Sequence, residues 1–336
     1  MHVLPLAAPS AVLIALAATL VVLVSGPAPA AARATSPIGT PVAVGIADQK
    51  PDMFTDPRFV EFGIKRARLT VGWDALTSSW QVDELETWLQ GAMDAGVEPL
   101  ISFGHSRTAR RSLPTPDRMK YEFERFRRYY PWVKTFAAWN EANHCGEPTC
   151  HRPKLVAAYY RMLRKVCETC KILPAELLDT PNMAGYARSI RRHLGFVPGI
   201  WGLHNYVEAN RFTMKRLREL QRATRGSLLW LTETGGLVRR RNRSTTDIPE
   251  GARHAGEVTR YIFDHILPRN PRIRRVYIYH WNAGPANANW DSGLIARDGT
   301  RRTALDVLER VLELGQRPTG NFRSPAKPLR RPAAPG

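Results

Sequence analysis

The chain has 336 residues, 43% of them hydrophobic and 24% charged, enough apolar material for a substantial core and too much for a disordered chain. Lys and Arg outnumber Asp and Glu by 49 to 30, a formal net charge of +19. A surface this positive attracts polyanions, yet no stretch resembles a recognition helix, a zinc finger or an RNA-binding strand motif, so nucleic acid is not the expected partner.

Ala11–Val24 is an apolar run of signal-peptide length, short for a membrane span, and Pro27 breaks it. Small residues over Ala28–Ala34 offer A-x-A cleavage sites, so residues 1–34 are expected to be a leader. The mature chain is then secreted, with no stable membrane span. The first ten residues hold His2 but no Lys or Arg, and an uncleaved anchor is the alternative. Export would place the four cysteines where pairing is expected, and two local bridges, Cys145 with Cys150 and Cys167 with Cys170, are preferred. Zinc held by His144-Cys145 and Cys150-His151 is the competing use of the first pair. Asn242-Arg243-Ser244 is a glycosylation sequon.

In chain order, Val42–Ile46 reads as a first strand ending at Ala47-Asp48-Gln49. Asp56–Phe62 is a short helical piece with Pro57 in its first turn. Arg66–Val71 alternates as a second strand and leads into Gly72-Trp73-Asp74. Val82–Ala95 carries Leu85, Leu89 and Met93 at helical spacing, with Gly96 as a stop. Pro99–Phe103 is a third strand, with His105 just past it, and Pro116–Tyr130 is a charged helix with Met119, Phe123 and Phe126 on one face. Thr135–Trp139 is a fourth strand running into Asn140-Glu141, followed by a helix over Pro153–Cys170. Glu176–Asp179 is a weaker fifth strand, and Ala187–Leu194 is its helix. Ile200–His204 is the sixth, followed by Asn205-Tyr206 and a helix over Met214–Ala223. Leu228–Thr232 is the seventh and meets Glu233; Ile248–Ile266 contains its helix. Val276–Tyr279 is the eighth, then His280-Trp281-Asn282, and Thr303–Leu314 closes the series.

Eight strand–helix units imply a parallel sheet covered by helices and closed on itself. The expected fold is therefore α/β, a single-domain (β/α)8 TIM barrel over residues 38–316. An open doubly wound sheet would usually show a glycine-rich first turn of the dinucleotide type, and none is present. Residues 317–336 are rich in Pro and Arg without apolar periodicity and read as a disordered tail.

In such a barrel the reactive groups gather at the carboxyl ends of the strands. Asp48, Trp73-Asp74, His105, Asn140-Glu141, Asn182, His204, Tyr206, Glu233 and Trp281 fall there. A carboxylate where a buried strand ends has little structural use. Two of them on one mouth raise each other's pKa unless a cation intervenes, and Arg68 inside the second strand is placed to do so. Paired carboxyl groups are what glycosidic-bond hydrolysis requires. The polar and aromatic residues around them suit a sugar, whose hydroxyls need hydrogen bonds and whose faces stack on indoles. Trp73, Trp80 and Trp290 are open to subsite or core roles. Val42–Gln49 lacks the H-x-H that a metal-dependent hydrolase would carry, and no metal or cofactor is expected.

With these residues in place, the chain resembles the clan A glycoside hydrolases. Trp139-Asn140-Glu141-Ala142-Asn143 matches the W-N-E-x-N form of the β-xylosidase and iduronidase branch. It is also similar to the N-E-P of the cellulase branch, from which Ala142 departs. Glu233 after Leu229-Trp230-Leu231-Thr232 matches the strand-seven nucleophile, and the resemblance spans Val42 to Leu314. It implies a retaining glycosidase with Glu141 as acid/base and Glu233 as nucleophile. Tyr206 and Arg68 would hold Glu233 charged and aimed, and Asn140 would meet the sugar's 2-hydroxyl. His105 and His204 would join the substrate contacts, with Trp281 as the subsite floor. A monomer acting on a carbohydrate is expected, with an anionic polysaccharide or cell surface as a further partner for the basic charge. The alternative is a catalytically inactive barrel that binds sugars or polyanions.

Overall fold

The computed structural model describes residues 33–35, 41–241 and 247–315. The expected leader apart from Arg33 and Ala34, the sequon and the expected tail lie outside the described residues. Arg33–Thr35 pairs antiparallel with Pro41–Ala43.

The barrel strands are β1 (Pro41–Ala47), β2 (Arg66–Gly72), β3 (Glu98–Gly104), β4 (Thr135–Ala137), β5 in two parts (Lys171–Leu173 and Glu176–Leu178), β6 (Ile200–His204), β7 (Leu228–Thr234) and β8 (Ile273–Tyr279). All pair in parallel in sequence order, and β8 returns to β1. Closure falls within β5, whose first part pairs β4 and whose second part pairs β6. Pro174 separates the parts because it has no N–H to give the ladder. Ala175 still accepts from Gly202 N at 3.1 Å, so the wall continues across the gap. The fold is the single-domain (β/α)8 barrel. Strand five starts earlier than the expected Glu176, at Lys171, because the helix expected to run to Cys170 ends at Val166 and the Cys167–Cys170 turn leads straight into Lys171–Leu173.

The covering helices are α1 (Pro57–Glu61), α2 (Ser79–Asp94), α3 (Pro116–Tyr129), α4 (Pro153–Val166), α5 (Met183–Leu194), α6 (Tyr206–Asn210), α7 (Lys215–Ala223), α8 (Ala252–Tyr261) and α9 (Thr303–Gly315). Thr115 caps α3 by accepting from Arg118 N, and Gly195, at φ 75°, ends α5 in the left-handed region that a side chain resists. The main core lies between helices and the outer strand faces, where Ala67, Leu69 and Val71 of β2 meet Leu85, Trp88 and Leu89 of α2. A smaller core fills the barrel with Leu100, Ala137, Leu173, Trp230 and Tyr277. Below it Arg275 stacks over Trp230 at 4.0 Å and donates to Glu98 at 3.0 Å, so the inward charges of β3 and β8 neutralise each other. Both cysteine pairs stand at bonding distance, Cys145–Cys150 at 1.85 Å and Cys167–Cys170 at 1.99 Å. The first bond occupies the sulfurs a zinc ion would need as thiolates. Among the described residues no helix is long and apolar enough to cross a membrane.

Candidate active site

Three local devices bring charge to the upper mouth of the barrel. On β2 the alternation that sends Ala67 and Leu69 outward sends Arg68 inward, where it is buried. On β7 Leu229 and Leu231 pack outward and Trp230 inward, so strict alternation would turn Glu233 out among the helices. A bulge prevents this. Leu231 and Thr234 pair with Val276 and Ile278, three steps of β7 against two of β8, and the extra residue brings Glu233 to the mouth. Beyond β4, Glu141 adopts φ 44°, a left-handed conformation that costs a non-glycine residue about 1 kcal/mol. Backbone bonds on both sides hold the turn, Asn140 N to Phe103 O at 2.6 Å and Ala142 N to Glu176 O at 3.0 Å.

The side chains then form one network. Arg68 donates twice to Glu176, at 2.8 and 2.5 Å, to Asn140 Oδ1 at 2.7 Å, and to Glu233 Oε1. Tyr206 donates its hydroxyl to Glu233 Oε2 at 3.0 Å. His204 Nδ1 lies 3.1 Å from Glu141 Oε1 and 3.8 Å from Glu233 Oε2, and its Nε2 lies 3.7 Å from Glu176. A carboxylate oxygen of Glu141, one of Glu233 and a ring nitrogen of His204 all lie within 4.8 Å of one another. Glu141 and Glu233 keep 22% and 14% of their side-chain surface exposed, while Arg68, Glu176 and His204 beneath them are closed off.

Charge follows from this packing. Burial works against the His204 cation, but the carboxylates of Glu233, Glu141 and Glu176 outweigh it and push its pKa up to about 9. Burial works to raise Glu141 as well, and the hydrogen bond and charge of His204 hold it below its ordinary value. Glu176 is likewise driven far down, burial being overcome by Arg68. Near neutral pH the free site therefore holds one proton on His204, with Glu141 beside it. Burial and the Glu233 charge raise Tyr206, which keeps its hydroxyl a donor.

A cleft of about 800 Å³ opens over the pair, lined by Glu141, Glu233, His144, Tyr206, Tyr279 and Trp290 among others. Trp290 sits on a two-residue ribbon, Arg239–Arg240 paired with Trp290–Asp291, and meets Tyr206 edge-on at 5.0 Å.

Of the residues expected at the site, Glu141, Glu233, Arg68, Asn140, His204 and Tyr206 come together. Three differ from expectation. Trp281 is 0% exposed, edge-on to Phe59 and Phe62 under α1, with its Nε1 on Asp56 at 3.0 Å. It belongs to the core, and the cleft tryptophan is Trp290. His204 is buried behind the carboxylates and acts on them rather than on a ligand. His105 is tied at 2.6 Å to Glu147, whose other oxygen takes Trp139 Nε1 at 3.0 Å, so it braces the loop after β4 outside the cleft lining. Glu176 and Tyr279 are the residues sequence reasoning missed, and Trp290, left open between subsite and core, lines the cleft. For Glu176 a signal existed: a glutamate at the head of an apolar strand, in a chain with an arginine buried in another.

No family model matches the sequence, and no curated protein does. Solved structures do match in fold. A family 39 glycoside hydrolase from Bacteroides cellulosilyticus WH2 is similar at 15% identity and a TM-score of 0.54, over 81% of this chain and 63% of that one. A GH10 endoxylanase from a sugarcane soil metagenome is similar at 12% identity and a TM-score of 0.58, over 82% and 97%. The catalytic domain of a mannanase from Streptomyces sp. SirexAA-E is similar at 13% identity and a TM-score of 0.54, over 90% and 97%. The chain thus spans less than two thirds of the family 39 enzyme and nearly all of the other two. The shared feature is the (β/α)8 barrel of these glycoside hydrolases.

Proposed function

We propose that the chain is a secreted glycoside hydrolase that cleaves O-glycosidic bonds of an oligo- or polysaccharide by double displacement. The observation that carries this reading is the short separation of Glu141 and Glu233, with oxygens within 4.8 Å. Carboxyl groups about 5–5.5 Å apart suit direct attack, whereas inversion needs room for a water at about 6.5–9.5 Å. The barrel shared with glycoside hydrolases supports the same chemistry.

Glu233 is the nucleophile, aimed by donors on both oxygens, Arg68 on one and Tyr206 on the other. Glu141 is the acid, and its proton comes from His204 across the 3.1 Å contact as a substrate displaces water from the mouth. After the leaving group departs, Glu141 takes a proton from the water that opens the glycosyl-enzyme. Arg68 occupies the carbonyl of Asn140, which leaves the amide NH2 for a sugar hydroxyl.

The test is a panel of chromogenic glycosides and polysaccharides with Glu141→Gln and Glu233→Gln. Loss of about 10²–10⁴-fold for Glu141→Gln, with substrate binding kept, is expected from removing an acid/base. Glu233→Gln should fall to background, and NMR of the first-released anomer should show retention. Unchanged turnover in either variant, or an inverted anomer, sinks the mechanism.

A further inference from the structure

Three depressions follow one another from the cleft down the outer wall. The cleft shares Pro181 with a hollow of about 690 Å³ over α5 and α7, and that hollow shares Arg188 with a third of about 500 Å³ at the end of α5. Arg211 and Arg216 line the first, Arg188 and Arg222 the second, and Arg191 and Arg192 with Arg188 the third. Arg211, Arg216 and Arg191 donate to the backbone carbonyls of Asp247, Asp179 and Ala223, and Arg216 also acts on the buried Asp179 carboxylate. Among the described residues none of the six is paired with a carboxylate, and Glu219 is the one acid lining the two outer hollows.

The asymmetry runs through the chain. Residues 151–227 hold 15 Lys and Arg against 5 Asp and Glu, of which Glu176, Asp179 and Glu208 are buried. Residues 41–150 hold 14 against 15. Residues 151–227 thus carry +10 of the formal +19, and the two outer hollows lie largely on them.

We infer that this furrow seats an extended anionic polysaccharide, a chain of carboxylate-bearing sugars that passes from α5 up into the cleft. The inference rests on the glycosidase reading above and names its substrate class. A guanidinium fork grips a carboxylate with two parallel hydrogen bonds, so a row of arginines suits a polyuronate. A furrow suits a strand better than the flat face of a membrane. Nucleic acid would need a run of rings for its bases, but Tyr186 in the second hollow is buried, which leaves Phe196 in the third, with Arg164 over it at 5.5 Å, as the one exposed phenyl ring lining the two outer hollows.

The test uses the full chain carrying Glu233→Gln, so that nothing is cut, and measures binding of polygalacturonate and polymannuronate beside their methyl esters. At least tenfold tighter binding of one polyuronate than of its ester is expected. The triple variant Arg188→Ser, Arg192→Ser, Arg222→Ser, checked for an unchanged melting curve, should lose tenfold or more of that affinity and flatten its salt dependence. Equal binding of ester and acid, or an unaffected triple variant, overturns the inference. So does tighter binding to duplex DNA or to phosphatidylserine vesicles that the triple variant abolishes. The two readings fail separately. Charge preference in a protein whose parent cuts no glycoside removes the enzyme, and cleavage of neutral glycosides without charge preference removes the furrow.

Discussion

Arg68 serves two carboxylates, and the division of its charge between Glu176 and Glu233 sets the electrostatics of the whole mouth. With Glu176 in place, two cations, Arg68 and His204, face three carboxylates. Glu176→Gln removes a negative group 3.7 Å from His204 Nε2, so the His204 pKa should fall from about 9. The alkaline limb of kcat/KM should then move to lower pH. Glu176→Asp should restore part of it, and an unmoved limb would reduce Glu176 to scaffolding. Leaving the buried Arg68 with one carboxylate instead of two should also cost about 3 kcal/mol of stability, read from denaturant unfolding. Gly202 belongs to the same argument: a Cβ there would stand 2.6 Å from Glu176 Cγ. Gly202→Ala should therefore loosen the Arg68–Glu176 pair, destabilising by about 1–3 kcal/mol and shifting the same pH limb.

At the scale of elements, the Arg239–Arg240 and Trp290–Asp291 ribbon shapes the cleft without belonging to the barrel. Trp290→Ala should raise KM about tenfold, roughly 1.4 kcal/mol of lost stacking, with a smaller change in kcat. An equal loss in kcat would mean that the ring positions Tyr206 instead. This ribbon was not legible in the sequence, because two-residue strands carry no period. The long helices and seven of the eight strands were legible, since an apolar run or a spacing of 3.6 or 2 declares itself over five residues or more. β5 was half legible, as Pro174 divides it into pieces too short to show alternation. Trp281 misled for a related reason: its position after β8 is visible in the sequence, but the side to which it turns depends on packing under α1.

For the whole molecule, the raised His204 pKa ties stability to pH. An unfolded histidine titrates near 6.5, so the stabilisation from protonated His204 is complete below that value. It is lost as pH rises through about 9. Thermal midpoints should accordingly decline between about pH 6.5 and 9, and His204→Gln should flatten that decline. A midpoint that rises across this window would show that the buried imidazole is neutral. The basic excess over residues 151–227 was legible from the sequence, but the line its arginines make from the end of α5 to the cleft came only with the fold, because it depends on which helix faces share one wall.

The bulge in β7 has a consequence for how such a barrel could gain or lose chemistry. Remove one residue from that strand and hydrogen bonding, helices and core could all persist. The carboxylate would then point into the apolar layer beside Leu229 and Leu231 instead of toward Glu141. An inert container and a reactive one built on this scaffold can thus differ by a single peptide unit, with every side chain of the reactive pair still present.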